Sequence, residues 1–208
     1  MKKTIIVGMV LAIGLLTPTV KAEIVSVSAA PLSTAGAAAA IIAPPTDVLN
    51  TVVTNTGQQG FNERMLVTTV DHGIDGGGTI PAGTWVNSHM IFLNAPPGPN
   101  IYHNNVVWTF SGPIIGVMSD YNGNLEILST PELGAPSTNY PAAGFPARGI
   151  EGADNYTISG SQLTVTMGVD PAAGDWIRVV TLALNIEIDR YRHQARVLSK
   201  SIQSQEQR

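Results

Sequence analysis

The sequence predicts an all-β fold, an antiparallel β-sandwich or jelly roll of about nine strands followed by a C-terminal amphipathic helix. Three observations carry this reading. Short runs rich in Val, Ile, Thr and aromatic residues recur between clusters of Gly, Pro and Asn. In Leu163-Thr-Val-Thr-Met167 and Trp176-Ile-Arg-Val-Val-Thr-Leu182 apolar residues alternate with others, so one face of each strand is apolar. No helical period separates the runs, and a parallel sheet would need crossover helices there.

The elements follow in order. Residues 1–22 begin with Lys2 and Lys3, continue through an apolar run over 5–16 and end at Val20-Lys21-Ala22. That is the pattern of a secretory signal peptide, too short for a lasting membrane span, and it places the mature chain from Glu23 outside a bacterial cell. Residues 23–46 are rich in Ala, Ser, Pro and Gly and read as a leader that buries little. The β domain is expected over 47–183, with strands near 47–54, 64–71, 84–94, 105–111, 114–119, 125–129, 155–159, 162–169 and 175–184. Ser159-Gly160-Ser161 signals a hairpin. Residues 130–152 contain Pro131, Pro136, Pro141 and Pro146, which bars a central strand and predicts a long surface excursion. Over 184–208 the residues Leu184, Ile188, Tyr191, Ala195, Leu198 and Ile202 form one apolar stripe at helical spacing, flanked by basic side chains. Such a helix can dock on its own domain, pair with a second copy or lie on an anionic surface.

Charge and composition narrow the function. Residues 23–183 hold twelve acidic side chains against three basic ones, Arg64, Arg148 and Arg178. A body so acidic repels a phosphate backbone and attracts cations, which argues against nucleic acid as a partner. The chain has no cysteine, so disulfides, thiol chemistry and a lipoprotein anchor are excluded. No second apolar stretch predicts a transmembrane anchor.

Two loops could gather oxygen ligands. In Asp120-Tyr-Asn-Gly-Asn-Leu-Glu126 the side chains of Asp120, Asn122, Asn124 and Glu126 alternate around a glycine, a spacing that can converge on Ca²⁺. It departs from an EF-hand, and a type I′ hairpin at Asn122-Gly123 explains the same residues. The loop Asp71-His-Gly-Ile-Asp75-Gly-Gly-Gly78 is acidic and glycine-rich but fits no phosphate cradle. His72, His89 and His103 lie near different strands without metal-ligand spacing; His89 is expected where its strand meets solvent and His103 in a turn. No nucleophile elbow or Ser-x-x-Lys set is present, and no spacing selects a pair of carboxylates. Trp108 and Trp176 fit core positions, whereas Tyr102, Tyr121 and Tyr140, placed in loops, could stack on sugar rings.

Three strings recur in order: Asp75-Gly-Gly-Gly-Thr-Ile-Pro-Ala-Gly-Thr-Trp-Val-Asn-Ser-His-Met-Ile-Phe-Leu-Asn94, Gly116-Val-Met-Ser-Asp120, and Gly174-Asp-Trp-Ile-Arg-Val-Val-Thr181. Over residues 47–181 they resemble an extracellular domain of bacterial surface proteins that usually end in a PEP-CTERM sorting signal. The resemblance implies a β-sandwich surface protein of unassigned function rather than a reaction. Where that family carries Pro-Glu-Pro and an apolar anchor, this chain has Asn185-Ile-Glu-Ile-Asp-Arg190. The expectation is a secreted or cell-surface structural or interaction protein without catalytic activity or cofactor. Its partners would be a second copy, through the helix, or other surface components. The alternative is a carbohydrate-binding module stabilised by Ca²⁺, with polysaccharide as its ligand.

Overall fold

The computed structural model describes residues 23–141 and 147–183. The signal peptide over 1–22 and the C-terminal helix over 184–208 lie outside the described residues. The described chain is mostly strand. In order it comprises β1 (Ile24–Val27), β2 (Ala40–Ile41), β3 (Gln59–Val67), β4 (His72–Ile74), β5 (Gly78–Ile80), β6 (Trp85–Asn94), β7 (Ile101–Phe110), β8 (Ile114–Met118), α1 (Asn124–Leu133), β9 (Asn155–Ser159), β10 (Gln162–Val169) and β11 (Gly174–Leu182).

Two sheets carry the fold, in the orders β1-β7-β10-β9 and β2-β3-β6-β11-β8. Between them lies one apolar cluster, with Val106, Trp108, Leu163, Val165 and Met167 from the first sheet and Ile91, Leu93, Ile177 and Val179 from the second. The expected alternation appears cleanly in β10, where every second residue is buried. The hairpin between β9 and β10 is also present, with Ser159 opposite Gln162 and Gly160 at φ 62°. Strand β7 changes phase midway. Ile101 and His103 point inward, then Val106, Trp108 and Phe110 do. A bulge opposite Val165 and Met167 absorbs the slip, with Asn105 at φ 55°, a conformation that Asn tolerates better than most residues.

Strand β11 departs from its expected alternation, being buried from Gly174 through Thr181. Its second face is covered as well: Trp176 packs with Val48, Phe61, Met90, Phe92 and Ala135, and Val180 with Val86, Met118 and Leu133. A central strand enclosed on both faces loses the amphipathic signature that marks a half-exposed one.

The covering layer corrects four expectations. Residues 125–129 are helical, within α1, and Asn122-Gly123 starts that helix rather than turning a hairpin. Gly123 sits at φ 62°, where a Cβ would fall 2.4 Å from Arg148 Cδ, so glycine is required on two counts. Residues 47–54 form turns and a single bridge from Asp47 to Asn139, with Val48 buried beneath Trp176. Described parts of the proline-rich stretch 130–152 are core, since Leu133, Ala135 and Arg148 are all buried. The leader is no linker: β1 pairs with β7, β2 pairs in parallel with β3, and Ile24 and Ala39 join the central cluster.

Candidate functional site

The residues singled out in the sequence scatter. Both oxygens of Asp120 accept backbone amides of α1, Oδ2 from Asn124 at 3.0 Å and Oδ1 from Leu125 at 2.7 Å. An acid in that position satisfies orphan N–H groups and complements the positive end of the helix. Asn122 and Asn124 are exposed, whereas Glu126, three residues into the helix, is fully buried. Burial raises its pKa to about 8 against the lowering influence of Arg148 and Arg178, and neither carboxyl oxygen has a hydrogen-bond partner. Asp120 and Glu126 therefore serve the helix start and the core, respectively, instead of one shared centre. Asp120→Ala is expected to cost about 1 kcal/mol through the lost cap, measured as a lower melting midpoint.

The tyrosines also part company. Tyr140 is half-buried, donates to Glu63 Oε1 at 2.6 Å and accepts the Ala135 amide, and the Arg178 guanidinium lies over its ring. It is a structural residue, its hydroxyl and ring engaged within the protein and not presented to a sugar. Tyr121 is 53 % exposed, in the loop before α1. Tyr102 is 42 % exposed but belongs to strand β7, not to a loop. Its ring lies on the backbone of Gly168, where a Cβ would fall 2.5 Å from Tyr102 Cδ1.

The histidines are internal. His89 is fully buried, with Nδ1 against Asn62 Oδ1 at 2.8 Å and Nε2 against Thr181 Oγ1 at 3.1 Å, and burial lowers its pKa to about 3. Because Asn62 Oδ1 also accepts the Ile24 amide, the ring is a neutral Nδ1–H donor. His103 lies within β7 and is buried, receiving the Gln58 amide at Nδ1 and donating from Nε2 to the Pro31 carbonyl. His72 pairs with Glu132.

What the sequence did not single out is an acidic pocket at one end of the two sheets. A cavity of about 270 Å³ is lined by Tyr102, Glu151, Asp154, Asp170 and Asp175 with small residues between them. One carboxylate oxygen from each of Glu151, Asp154 and Asp175 lies within 4.8 Å of the other two. Asp175 comes from the second residue of β11, in phase with the inward-facing Ile177 and Val179. Asp154 sits just before β9, its amide bonded to the Glu151 carbonyl in a turn, and its carboxylate accepts the Gly168 amide of β10. Asp170 follows β10 and accepts the Asn100 side chain at 2.8 Å.

The charges are unbalanced. None of the described residues lining the cavity is Lys, Arg or His. Burial raises Asp175 to about 10, reinforced by Asp154, Glu151 and Asp170, and burial with the same neighbours raises Glu151 to about 7. Asp154 also rises through burial. Such a set can hold a proton between carboxyl groups or a hard cation among them, since either offsets the mutual repulsion. One signal in the sequence was available: Asp175 is an acid at a position whose strand neighbours in phase are Ile177 and Val179.

Among the described residues no helix is long and apolar enough to cross a membrane. Comparison with known proteins yields no match to any family model, curated protein or solved structure.

Proposed function

We propose that this chain is an exported, non-catalytic interaction protein that recognises its partner through the outer face of the β1-β7-β10-β9 sheet. The observation that carries it is the asymmetry of the two sheets. The second is enclosed on both faces, whereas the first leaves Tyr102 and Asn104 exposed and Thr164 and Thr166 half-buried on its outer side. A rigid sheet that presents a polar, aromatic-bearing surface is organised to bind without loop rearrangement. The export pattern of residues 1–22 and the resemblance to sorted surface proteins supply the setting, and the apolar stripe of the tail supplies a second contact, with another copy of the chain.

One observation favours polysaccharide as the partner. The Tyr102 ring rests on Gly168 and stays 42 % exposed, and its hydroxyl accepts from the Asn100 amide at 3.4 Å, the same group that donates to Asp170 at 2.8 Å. A flat exposed ring with polar neighbours suits a sugar, whose apolar face stacks while its hydroxyls bond at the edge.

Both readings are checked in one binding experiment, using washed cell envelopes and purified insoluble polysaccharides as the solid phase. Retention on envelopes that falls at least tenfold in Tyr102→Ala, with Tyr121→Ala unchanged, is the expected result. Retention on purified polysaccharide with the same dependence identifies the sugar partner. Retention on neither phase refutes both readings.

A further inference from the structure

We propose that Glu151, Asp154 and Asp175 form a calcium site, which joins the turn before β9 to the start of β11. Three observations meet there. The oxygens lie within 4.8 Å of one another, no farther apart than ligands can reach around one calcium ion with bonds of about 2.3–2.6 Å. Each residue contributes an oxygen that no donor from outside the cluster reaches, namely Glu151 Oε2, Asp154 Oδ2 and Asp175 Oδ2, and the hydrogen bond between Asp154 and Asp175 needs a shared proton that a bound ion would replace.

The third observation is burial. Asp175 is only 2 % exposed, and its unpartnered Oδ2 belongs to a side chain directed into the cluster. A buried carboxylate oxygen without a donor costs free energy that folding recovers only when something bonds to it. No basic side chain lines the cavity among the described residues, so the compensating charge must come from solution.

The donor set selects the class of ion. Carboxylates alone, without His or Cys, suit a hard cation. The cavity has room for the water molecules that would complete six to eight oxygens around calcium, and Asp170 adds charge at its rim. Magnesium demands shorter, near-octahedral bonds and releases its water reluctantly. The site also differs from the Asp120 loop, whose acid is occupied by helix amides. The sugar-binding reading is not needed for any of this, so failure of the polysaccharide assay leaves the calcium site standing.

The test is calorimetric titration of the metal-stripped full chain with CaCl₂ alone, beside thermal melts with and without calcium. One ion per chain is expected, with a midpoint raised by roughly 5 °C or more at calcium a hundredfold above its dissociation constant. In Asp175→Asn the calcium response disappears while the metal-free midpoint stays within about 2 °C of the parent, because burial already keeps the Asp175 carboxyl protonated when no ion is bound. Glu151→Gln, at the rim, keeps the fold and weakens calcium at least tenfold. The assignment is overturned by the absence of a heat and of a shift at 5 mM calcium, by an equal response to magnesium, or by a response that survives Asp175→Asn and vanishes in Asp120→Asn.

Discussion

Glu63→Ala is expected to lower stability by about 3–5 kcal/mol, the cost of stranding a buried charge, which is a fall of roughly 10 °C in the melting midpoint for a chain of this size. Glu63 and Arg178 form a two-pronged pair, Nε to Oε2 at 2.8 Å and Nη2 to Oε1 at 2.9 Å. Arg178 spends its remaining donors on the Glu126 carbonyl, Ser129 Oγ and Thr130 Oγ1, so all five N–H groups are satisfied. Glu63 in turn accepts from the hydroxyls of Ser88 and Tyr140. The network ties β3, β6 and β11 to α1 and to the segment bearing Tyr140. Burial alone would depress Arg178, but the Glu63 charge and hydrogen bonds prevail and hold its pKa above the usual value. Tyr140 moves upward through burial and through the Glu63 anion, so its hydroxyl keeps the proton it donates.

The sign of the effect depends on which partner is left. A lone Arg178 would keep a charge with no exposed surface, whereas the double variant Glu63→Met with Arg178→Met removes both charges and is expected to lose less than Glu63→Ala alone. Denaturant melts of the two variants decide the matter. A Glu63→Ala protein that melts within about 2 °C of the parent, or a double variant worse than the single, would show that the pair is not what holds the covering layer.

That pair illustrates what could be read from residues alone. Strand β10 was legible because it is buried on one face only, so Leu163, Val165 and Met167 announce themselves against Thr164 and Thr166. Strand β11 was placed correctly, but its second buried face was hidden: Arg178 reads as a solvent-facing residue until Glu63, 115 positions away, is brought beside it. The helix was missed for a related reason. Asn122-Gly123 has the same left-handed glycine that a hairpin turn uses, and Pro131 inside α1 argues against a helix. The cap that decides the matter, Asp120, reads in the sequence as a calcium ligand beside Asn122, Asn124 and Glu126. The acidic pocket was out of reach because Asp154 and Asp175 meet only through the pairing of distant strands, and Glu151-Gly-Ala-Asp154 has no metal spacing of its own.

Deleting residues 23–42 is expected to abolish cooperative unfolding, although their composition is that of a linker. Ile24 is buried against Trp108 near Gly60, where a Cβ would meet both side chains, so no other residue fits in that gap. The Ile24 amide bonds Asn62 Oδ1 at 2.9 Å, and Ser28 exchanges hydrogen bonds with Val107 in both directions. Pro31 accepts from His103 Nε2 at 2.9 Å, and burial keeps that imidazole neutral by lowering its pKa. His103 in turn receives the Gln58 amide, and the Gln58 side chain accepts from Trp108 Nε1 at 3.0 Å and donates to the His103 carbonyl. The deletion thus strips the polar chain beside the largest core side chain of its outermost acceptor, at about 1–3 kcal/mol for each buried group left unpaired. It also bares the end of β7 over residues 107–110, where β1 and Ser28 pair with it, and an unpaired strand edge invites association with another chain. Far-ultraviolet circular dichroism on heating, with light scattering beside it, reads both effects: a broad, shallow transition and concentration-dependent scattering are expected. The point variant Ile24→Asp should reproduce most of the loss, because it places a charge beside Trp108 while leaving the rest of the segment in place. A shortened chain that melts sharply and within about 3 °C of the full one would mean that β1 and β2 decorate a sandwich complete without them.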